Sequence, residues 1–593
     1  MQTTNDVHQQ FAGFFKDPKL KPFAYLVSKK LSEGHICLDL SELDGATDIN
    51  GLAQSEQVAA AGGRQPFILH NNRLYLERYF AYESMIIDRI LAFLKESVDL
   101  YQERTASLRE HHDLIKQLFD DTEDLSALPA EEQVNWQLAA VVSGVLNSFT
   151  IITGGPGTGK TTTVARLLAV LYTLNPDMSV ALAAPTGKAA MRMGESLKSA
   201  RLNVADAIVN KFQDLLPTTV HRLLKTIPDT PYFRHNAAQP LLQDVVIVDE
   251  ASMLDAALFA KLLDAIGPGT RLILLGDKDQ LASVEAGSLL GDLCQVNVRG
   301  NMFEPETMAL INELNNQAIG WIPEEYLIKG KTPLLAGNIV ELKRSRRFSS
   351  QKGIGKMSRA IIQSDLQVLK DLMAPAQDDQ ILIDHIYDEA IFERFVAGYE
   401  SYLLEPDPLA ALQKFNEIRI LCAIRGGEQG VVRINRKVED LLRKKQLIHT
   451  GTDFYHNRPI MITSNYYDLG LFNGDIGIIR PDASGVLKAW FETGQGELRE
   501  LLPAYVPYAE TVYAMTVHKS QGSEYDQVLV VLPKVANDNL LTRELLYTAI
   551  TRAKKQVIVQ GTAEQILSIA GASVQRASGL QERFREMESV INT

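Results

Sequence analysis

Gly154-Gly155-Pro156-Gly157-Thr158-Gly159-Lys160-Thr161 fits the pattern G-x-x-x-x-G-K-[ST] of a phosphate-binding loop. An apolar strand, FTIIT, precedes it, and an amphipathic helix starting at Lys160-Thr161-Thr162 follows. Glycines let backbone N–H groups converge on phosphates, and the helix N-terminus adds its positive dipole end. Lys160 then reaches the β- and γ-phosphates, and Thr161 sets its hydroxyl on Mg²⁺. About ninety residues further on, Asp249-Glu250 ends the apolar run VVIV. A carboxylate there can hold Mg²⁺, and its neighbour can orient the attacking water, so Asp249 is the expected metal ligand and Glu250 the expected base. The plain alternative is a helix-capping pair, because acids also favour a first helical turn. Arg347, closing the cluster Lys343-Arg344-Ser345-Arg346-Arg347, and Arg552, after ELLYTAIT, are candidates for neutralising charge during hydrolysis. The plain alternative for these arginines, weightiest at Arg344 and Arg346, is solvated charge or charge facing a nucleic acid. The expected ligands are ATP and Mg²⁺.

Short apolar strands alternate with helical segments from SFTIITGG through TRLILLGD, the pattern of a parallel sheet covered on both faces. The pattern returns in YDQVLVVLP, ELLYTAITRAKK and QVIVQG, which predict a second α/β domain. Residues 452–508 hold short strands separated by turns and read as a small all-β insertion, with Asn473-Gly474-Asp475 a tight turn. Residues 1–120 mix helical periodicity with short apolar runs. The acidic, Pro-containing stretch 120–132 reads as a linker. The expected order is therefore an N-terminal domain over 1–120, a first nucleotide-type α/β domain over 133–340 and a second over 341–593 that carries the insertion.

The 593 residues include 60 Lys plus Arg and 73 Asp plus Glu, a formal charge of −13. Disorder and fibrous repeats are excluded by a composition that is 46% hydrophobic and 22% charged. Cys37, Cys294 and Cys422 are too few and scattered for a disulfide framework or zinc site, which favours a reducing compartment. Neither a signal peptide nor a membrane-length apolar stretch is read, so the expected location is cytoplasmic. His111-His112-Asp113 has metal-ligand residue types, but neighbours on a helix point about 100° apart, so it is read as a solvated face. The acidic total argues on its own against a partner bound by overall charge. Yet residues 1–132 hold 13 basic and 22 acidic residues, a net −9, against −4 over the remaining 461. A near-neutral body can carry a local basic track, and the acidic N-terminal part is expected to face protein partners.

The ordered series GGPGTGKT, APTGKA (184–189), VDEAS (248–252), GDKDQL (276–281), RSRRF (344–348), TVHKSQGSEYD (516–526) and YTAITRAK (547–554) resembles superfamily-one helicases, in the branch moving five-to-three-prime on single-stranded DNA. HICLDL (35–40), RLYLERYF (73–80), RHNAAQPLLQDVVIVDEASMLD (234–255) and LFNGDIGI (471–478) extend the likeness to the RecD family, α subunits of exodeoxyribonuclease V, over almost the whole chain. The resemblance implies two RecA-like motor domains and an SH3-like barrel beside the DNA path. It implies RecB-like and RecC-like partners, action on single strands and duplex ends, and no nuclease chemistry in this chain. Gln137 falls where such proteins read the adenine edge, and Gln280 where γ-phosphate is coupled to the DNA track. Pro185, Thr186, Thr219, His221, Thr516 and His518 fall where donors hold strand phosphates, and Glu524 where a sugar is contacted or the motif oriented. Without the family, Gln137 is a helix cap and the two histidines are satisfied helix or core residues. Two other readings remain open: as an enzyme, a stand-alone relative, which carries a longer N-terminal region with helix-hairpin-helix elements; and, from a different class, a nucleotide-binding interaction subunit without a motor. A nucleotide-switched regulatory ATPase leaves the second domain's motifs unexplained.

Overall fold

The computed structural model describes residues 6–43, 49–120, 125–296, 300–315, 320–374, 378–493, 497–506, 508–534, 540–574 and 576–591. Of the expected linker 120–132, residues 121–124 lie outside the described residues; Ala130–Gln133 forms one short helical turn.

The apolar strands assemble as their patterning requires. Phe149–Gly154, buried at every position, lies between Ile339–Leu342 and Arg271–Gly276 in a six-stranded parallel sheet that continues through Val245–Val248, Val180–Ala184 and Thr218–Thr219. Such continuous burial is possible because helices cover both faces. Among them are Trp136–Leu146, with ten buried residues, and Lys160–Leu174. The second parallel sheet has five strands, in the order Ile381–Asp384, Ala553–Gln560, Tyr525–Val531, Ile418–Cys422, Ala514–Thr516. The chain is thus an α/β protein with two parallel-sheet domains.

The inserted region is a five-stranded antiparallel sheet, Leu498–Leu501, Leu487–Glu492, Ile476–Pro481, Pro459–Ile462, Ala509–Thr511. Its strands reach Thr511, three residues past the expected end. The described pairings form an open ladder with Leu498–Leu501 and Ala509–Thr511 at its edges. A buried polar-aromatic knot fixes it to the second domain: Tyr402 donates to the Asn457 carbonyl (2.9 Å), and Arg480 donates to the Tyr402 carbonyl (2.7 Å).

The N-terminal region divides. Residues up to Leu76 form a small four-stranded sheet whose hairpin turns at Asn71-Asn72, both at positive φ (47° and 58°), a backbone that asparagine tolerates. The 34-residue helix Glu77–Glu110 instead packs on the first parallel sheet. Its apolar stripe through Ile86, Ile90 and Phe93 is buried there, and Phe93 stacks on Phe149 with ring centroids 6.0 Å apart. Arg104 donates to the Leu146 carbonyl (2.8 Å), and Ser97 Oγ accepts from the Ser148 N–H (2.8 Å). At the other terminus, the helix Leu580–Ile591 returns from the second domain and buries Leu580 and Phe584 in that same core.

Candidate functional site

The loop after Phe149–Gly154 turns through Gly157 (φ 76°) and Gly159 (φ 84°), left-handed backbone that glycine adopts without strain. Both glycines are needed for space as well. A Cβ at Gly157 would stand 2.4 Å from that of Arg347, and one at Gly159 would stand 2.3 Å from Gln137 Nε2. Thr158 closes the loop by donating to the Gly155 carbonyl (2.8 Å). Lys160 opens the helix and donates to the loop's own carbonyls, Gly154 at 2.6 Å and Gly155 at 3.3 Å. Thr161 is half-buried and Thr162 exposed in the first turn.

Asp249 extends its strand by one residue, donating its N–H to the Ala183 carbonyl (2.9 Å) and accepting from the Glu250 N–H (2.8 Å). Glu250 sits at φ 52°, a left-handed position uncommon for a non-glycine residue and often found at functional sites. Burial, then the adjacent Glu250 charge, pushes Asp249 up to about 6 against the pull of Lys160. Lys160 is the cation whose field acts on this carboxyl. Together with Thr161 and the glycine cradle, Asp249 fits a site for a nucleotide and its Mg²⁺.

Gln280 is buried, donates to Asp277 Oδ2 (3.0 Å) and leaves its own Oε1 without a partner. Asp277, also buried, accepts from the Tyr547 hydroxyl (2.9 Å), and burial pushes its carboxyl up to about 6. Tyr547 therefore reaches across from the second domain, and a Cβ at Gly155 would stand 2.9 Å from its hydroxyl. Next to Gln280, the Leu281 N–H donates to Thr548 Oγ1 (2.9 Å), and Gln521 donates to the Leu281 carbonyl (2.7 Å).

The connection between the domains lies directly on the loop. Arg346 donates its N–H to the Gly157 carbonyl and Ser345 its hydroxyl to the Pro156 carbonyl, both at 2.9 Å. Arg347 is ion-paired to Glu524 (2.7 Å). Burial opposes ionisation of Glu524, yet Arg347, followed by Arg552 and Arg192, holds its carboxyl below the usual range. The structure thus puts Glu524 beside Arg347. Arg552 is 3% exposed, with Nε donating to the Thr548 carbonyl (3.1 Å) and Nη1 to the Ser523 carbonyl (3.2 Å). Its guanidinium is seated inside the second domain.

Gln137 is not the cap of its helix; Asn135 is, accepting from the Leu138 N–H at 3.1 Å. Gln137 donates to the Thr158 carbonyl (3.1 Å) and accepts from Arg166 (2.7 Å), which stacks over Phe119. It lines a small, half-open pocket of about 60 Å³ with Trp136, Lys343 and Arg346.

The remaining candidates gather at the carboxyl ends of parallel strands. Pro185 follows Val180–Ala184, and Thr186 caps the next helix by accepting from the Ala189 N–H (3.2 Å). Thr219 caps Val220–Leu224 through the Arg222 N–H (3.2 Å), and His221 is exposed with its ring edge on Phe233. In the second domain Thr516 ends Ala514–Thr516, and His518 is half-buried two residues later. A cleft of about 290 Å³ separates Thr219 and Arg222 from the insertion's Phe472 and Asp475. Asn473-Gly474-Asp475 is the expected turn, with Gly474 at φ 95° and Asp475 accepting from the Phe472 N–H (2.7 Å). His111 and His112 bond carbonyls in the last turn of the preceding helix Glu77–Glu110, no metal-ligand cluster occurs among the described residues, and the three cysteines are free. No described helix is long and apolar enough to cross a membrane. Sequence reasoning missed Asp277 and Tyr547. Asp277 carried a signal, an acid directly after an apolar strand, and Tyr547 opens the motif YTAITRAK, but nothing in either motif showed that the two side chains meet.

Residues 137–286 match the AAA domain family, and residues 511–560 match the UvrD-like helicase C-terminal domain. Those segments carry the phosphate loop and, in the second domain, Gln521, Glu524, Tyr547 and Arg552, and the class they define is an ATP-dependent helicase. RecBCD enzyme subunit RecD of Mycolicibacterium smegmatis is 34% identical over 94% of this chain and 92% of its own. That of Haemophilus influenzae is 34% identical over 84% and 79%. The ATP-dependent RecD2 DNA helicase of Deinococcus radiodurans is 31% identical over 73% of this chain but 50% of its own. The chain belongs to the RecD family.

Proposed function

We propose that this chain is the five-to-three-prime motor of a RecBCD-type helicase and nuclease, working at DNA ends in double-strand break repair and recombination. ATP is its fuel, single-stranded DNA its track, and RecB-like and RecC-like chains its partners in the bacterial cytoplasm. The observation that carries the reading is the seating of 345–347 on the phosphate loop, which makes the nucleotide site a joint between two domains. Lys160 and the loop N–H groups bind the phosphates. Thr161 and Asp249 would hold Mg²⁺, which supplies charge neutralisation at the β- and γ-phosphates. Glu250 orients the attacking water and takes its proton. Gln280, hydrogen-bonded to Asp277 and next to residues pinned by the second domain, relays the state of the γ-phosphate. Arg347 leaves Glu524 for the transferred phosphoryl group, and Arg552 supports Glu524 and the cleft wall from behind. Gln137 reads the adenine.

Closure and release of the cleft alternately bring the first domain's strand contacts (the donors Thr186, Thr219 and His221, with Pro185 beside them as a non-donating wall) and the second domain's donors (Thr516, His518) onto the strand. These contacts are sequence-tolerant, as a translocating motor requires. A subunit reading is favoured over a stand-alone one because likeness to the subunit relatives runs along about nine-tenths of both chains. Lys160→Ala is the direct test. It should abolish DNA-stimulated ATP hydrolysis and unwinding by this chain while the thermal midpoint stays put; near-normal hydrolysis would remove the assignment.

A further inference from the structure

The second domain does not keep the end of the chain. The Val574 N–H donates to Glu544 of that domain (3.0 Å), whereas two residues later Arg576 is bound to the first. Successive Cα atoms are 3.8 Å apart, so this crossing spans about 8 Å at most and cannot lengthen when the cleft opens. Beyond it, Ala577 pairs with the N-terminal sheet region, accepting from Ile36 and donating to His35 (both 2.9 Å). The helix Leu580–Ile591 is then locked by Arg583 on the buried Glu83 (3.5 Å). With the connection at 343–353, the two motor domains are joined twice. The short crossing is the natural pivot.

Arg576 makes unusual use of that position. Its Nη1 donates to the Gly287 (2.8 Å) and Glu285 (3.1 Å) carbonyls and its Nη2 to the Ser283 carbonyl (2.7 Å). Gly34, at φ 91°, lies against the guanidinium; a Cβ there would stand 2.9 Å from Cζ. A planar fork of donors suits three carbonyls of one loop in a way a point charge does not. The gripped loop is the continuation of Gln280. Its beginning, Leu281, is held by Thr548 and Gln521 of the second domain, and its end by Arg576.

We propose that Arg576 is a positioning residue for ATP hydrolysis: it fastens the 283–287 loop to the pivot, so that Gln280 and Asp277 keep their places opposite the phosphate loop as the cleft opens and closes. This rests on the functional reading above. In the full chain with its co-purifying subunits, Arg576→Ala lowers the DNA-stimulated kcat about tenfold while KM for ATP stays within about twofold. Arg576→Lys recovers only part of the loss. Arg576→Ala added to Gln280→Ala costs nothing beyond Gln280→Ala alone, because both act through one loop. A kcat within twofold of the parent at unchanged thermal midpoint, or additive losses in the double variant, overturns the proposal. So does a parallel fall of kcat and thermal midpoint. Should Arg576→Ala fail to fold, Gly34→Ala, which displaces the guanidinium without removing it, must reproduce the kcat loss, and normal turnover there overturns the proposal equally. Lys160→Ala separates the two levels. Residual hydrolysis in that variant removes the site itself, whereas lost hydrolysis with normal Arg576→Ala turnover removes only the role of Arg576.

Discussion

The two parallel-sheet domains are built alike and contribute differently. In the first, the chain leaves Phe149–Gly154 through glycines at positive φ and enters a 15-residue helix, so main-chain N–H groups and a helix terminus face the cleft. In the second, the corresponding chemistry comes from side chains: Tyr547 on Asp277, Thr548 and Gln521 on Leu281, Glu524 on Arg347. One domain offers a fixed cradle and the other offers reach. A sheet architecture alone therefore says little about chemistry, which resides in what the strand ends carry. The division also suits a cycle, because groups on side chains change partners when the domains rotate, while a cradle of backbone does not.

That contrast can be broken or sharpened by substitution. Glu250→Gln, on the cradle side, should lower kcat by about 10²–10⁴ with ATP affinity retained, measured by steady-state hydrolysis beside nucleotide titration. Unchanged kcat would move the base elsewhere. Next in size is acidity. Because burial and Glu250 push Asp249 up to about 6, the nucleotide-free chain loses this carboxylate as pH falls through that value. Mg²⁺-dependent ATP affinity should then drop about tenfold per pH unit below about 6, and Asp249→Asn should flatten the profile. The sign for stability is opposite. With a folded pKa above the usual carboxylate value, this group destabilises the fold most above about pH 6 and least near pH 4. Gln137→Ala should raise KM for ATP about tenfold with little change in kcat, since it removes binding shared by ground and transition states. A fall in kcat at constant KM would contradict a role in reading adenine. Smallest is Tyr547→Phe on the reaching side. It removes one hydroxyl bond to Asp277 and should lower kcat severalfold without altering nucleotide binding.

How much of this could be read from residues alone depends on whether the signal was local. The phosphate loop, the strand before it and the helix after it are consecutive, and so is the acid pair ending VVIV; the structure brings Asp249 of that pair within the field of Lys160. The stripe Ile86, Ile90, Phe93 announced a buried face on Glu77–Glu110, but periodicity does not name the surface that covers it. Only tertiary packing assigns that helix to the first parallel sheet, and it places Ile36, Cys37, Ile68 and Tyr75 of the N-terminal sheet region in the same core. Arg552 illustrates the opposite difficulty. Its charge suggested a free finger, whereas the carbonyls of Thr548 and Ser523 seat it in the interior. Tyr547 and Arg576 act across the domain boundary, on partners some 270 and 290 residues away in sequence, where no spacing rule reaches.

The claim that hydrolysis is shared between the domains is tested most directly by Arg347→Ala in the full chain, with ATP affinity and DNA-stimulated turnover measured on the same preparation. The shared site predicts affinity within a few-fold of the parent and turnover lower by about 10³ or more, the scale of an arginine supplied from a second domain. Turnover within tenfold of the parent would show that the first domain hydrolyses ATP without it.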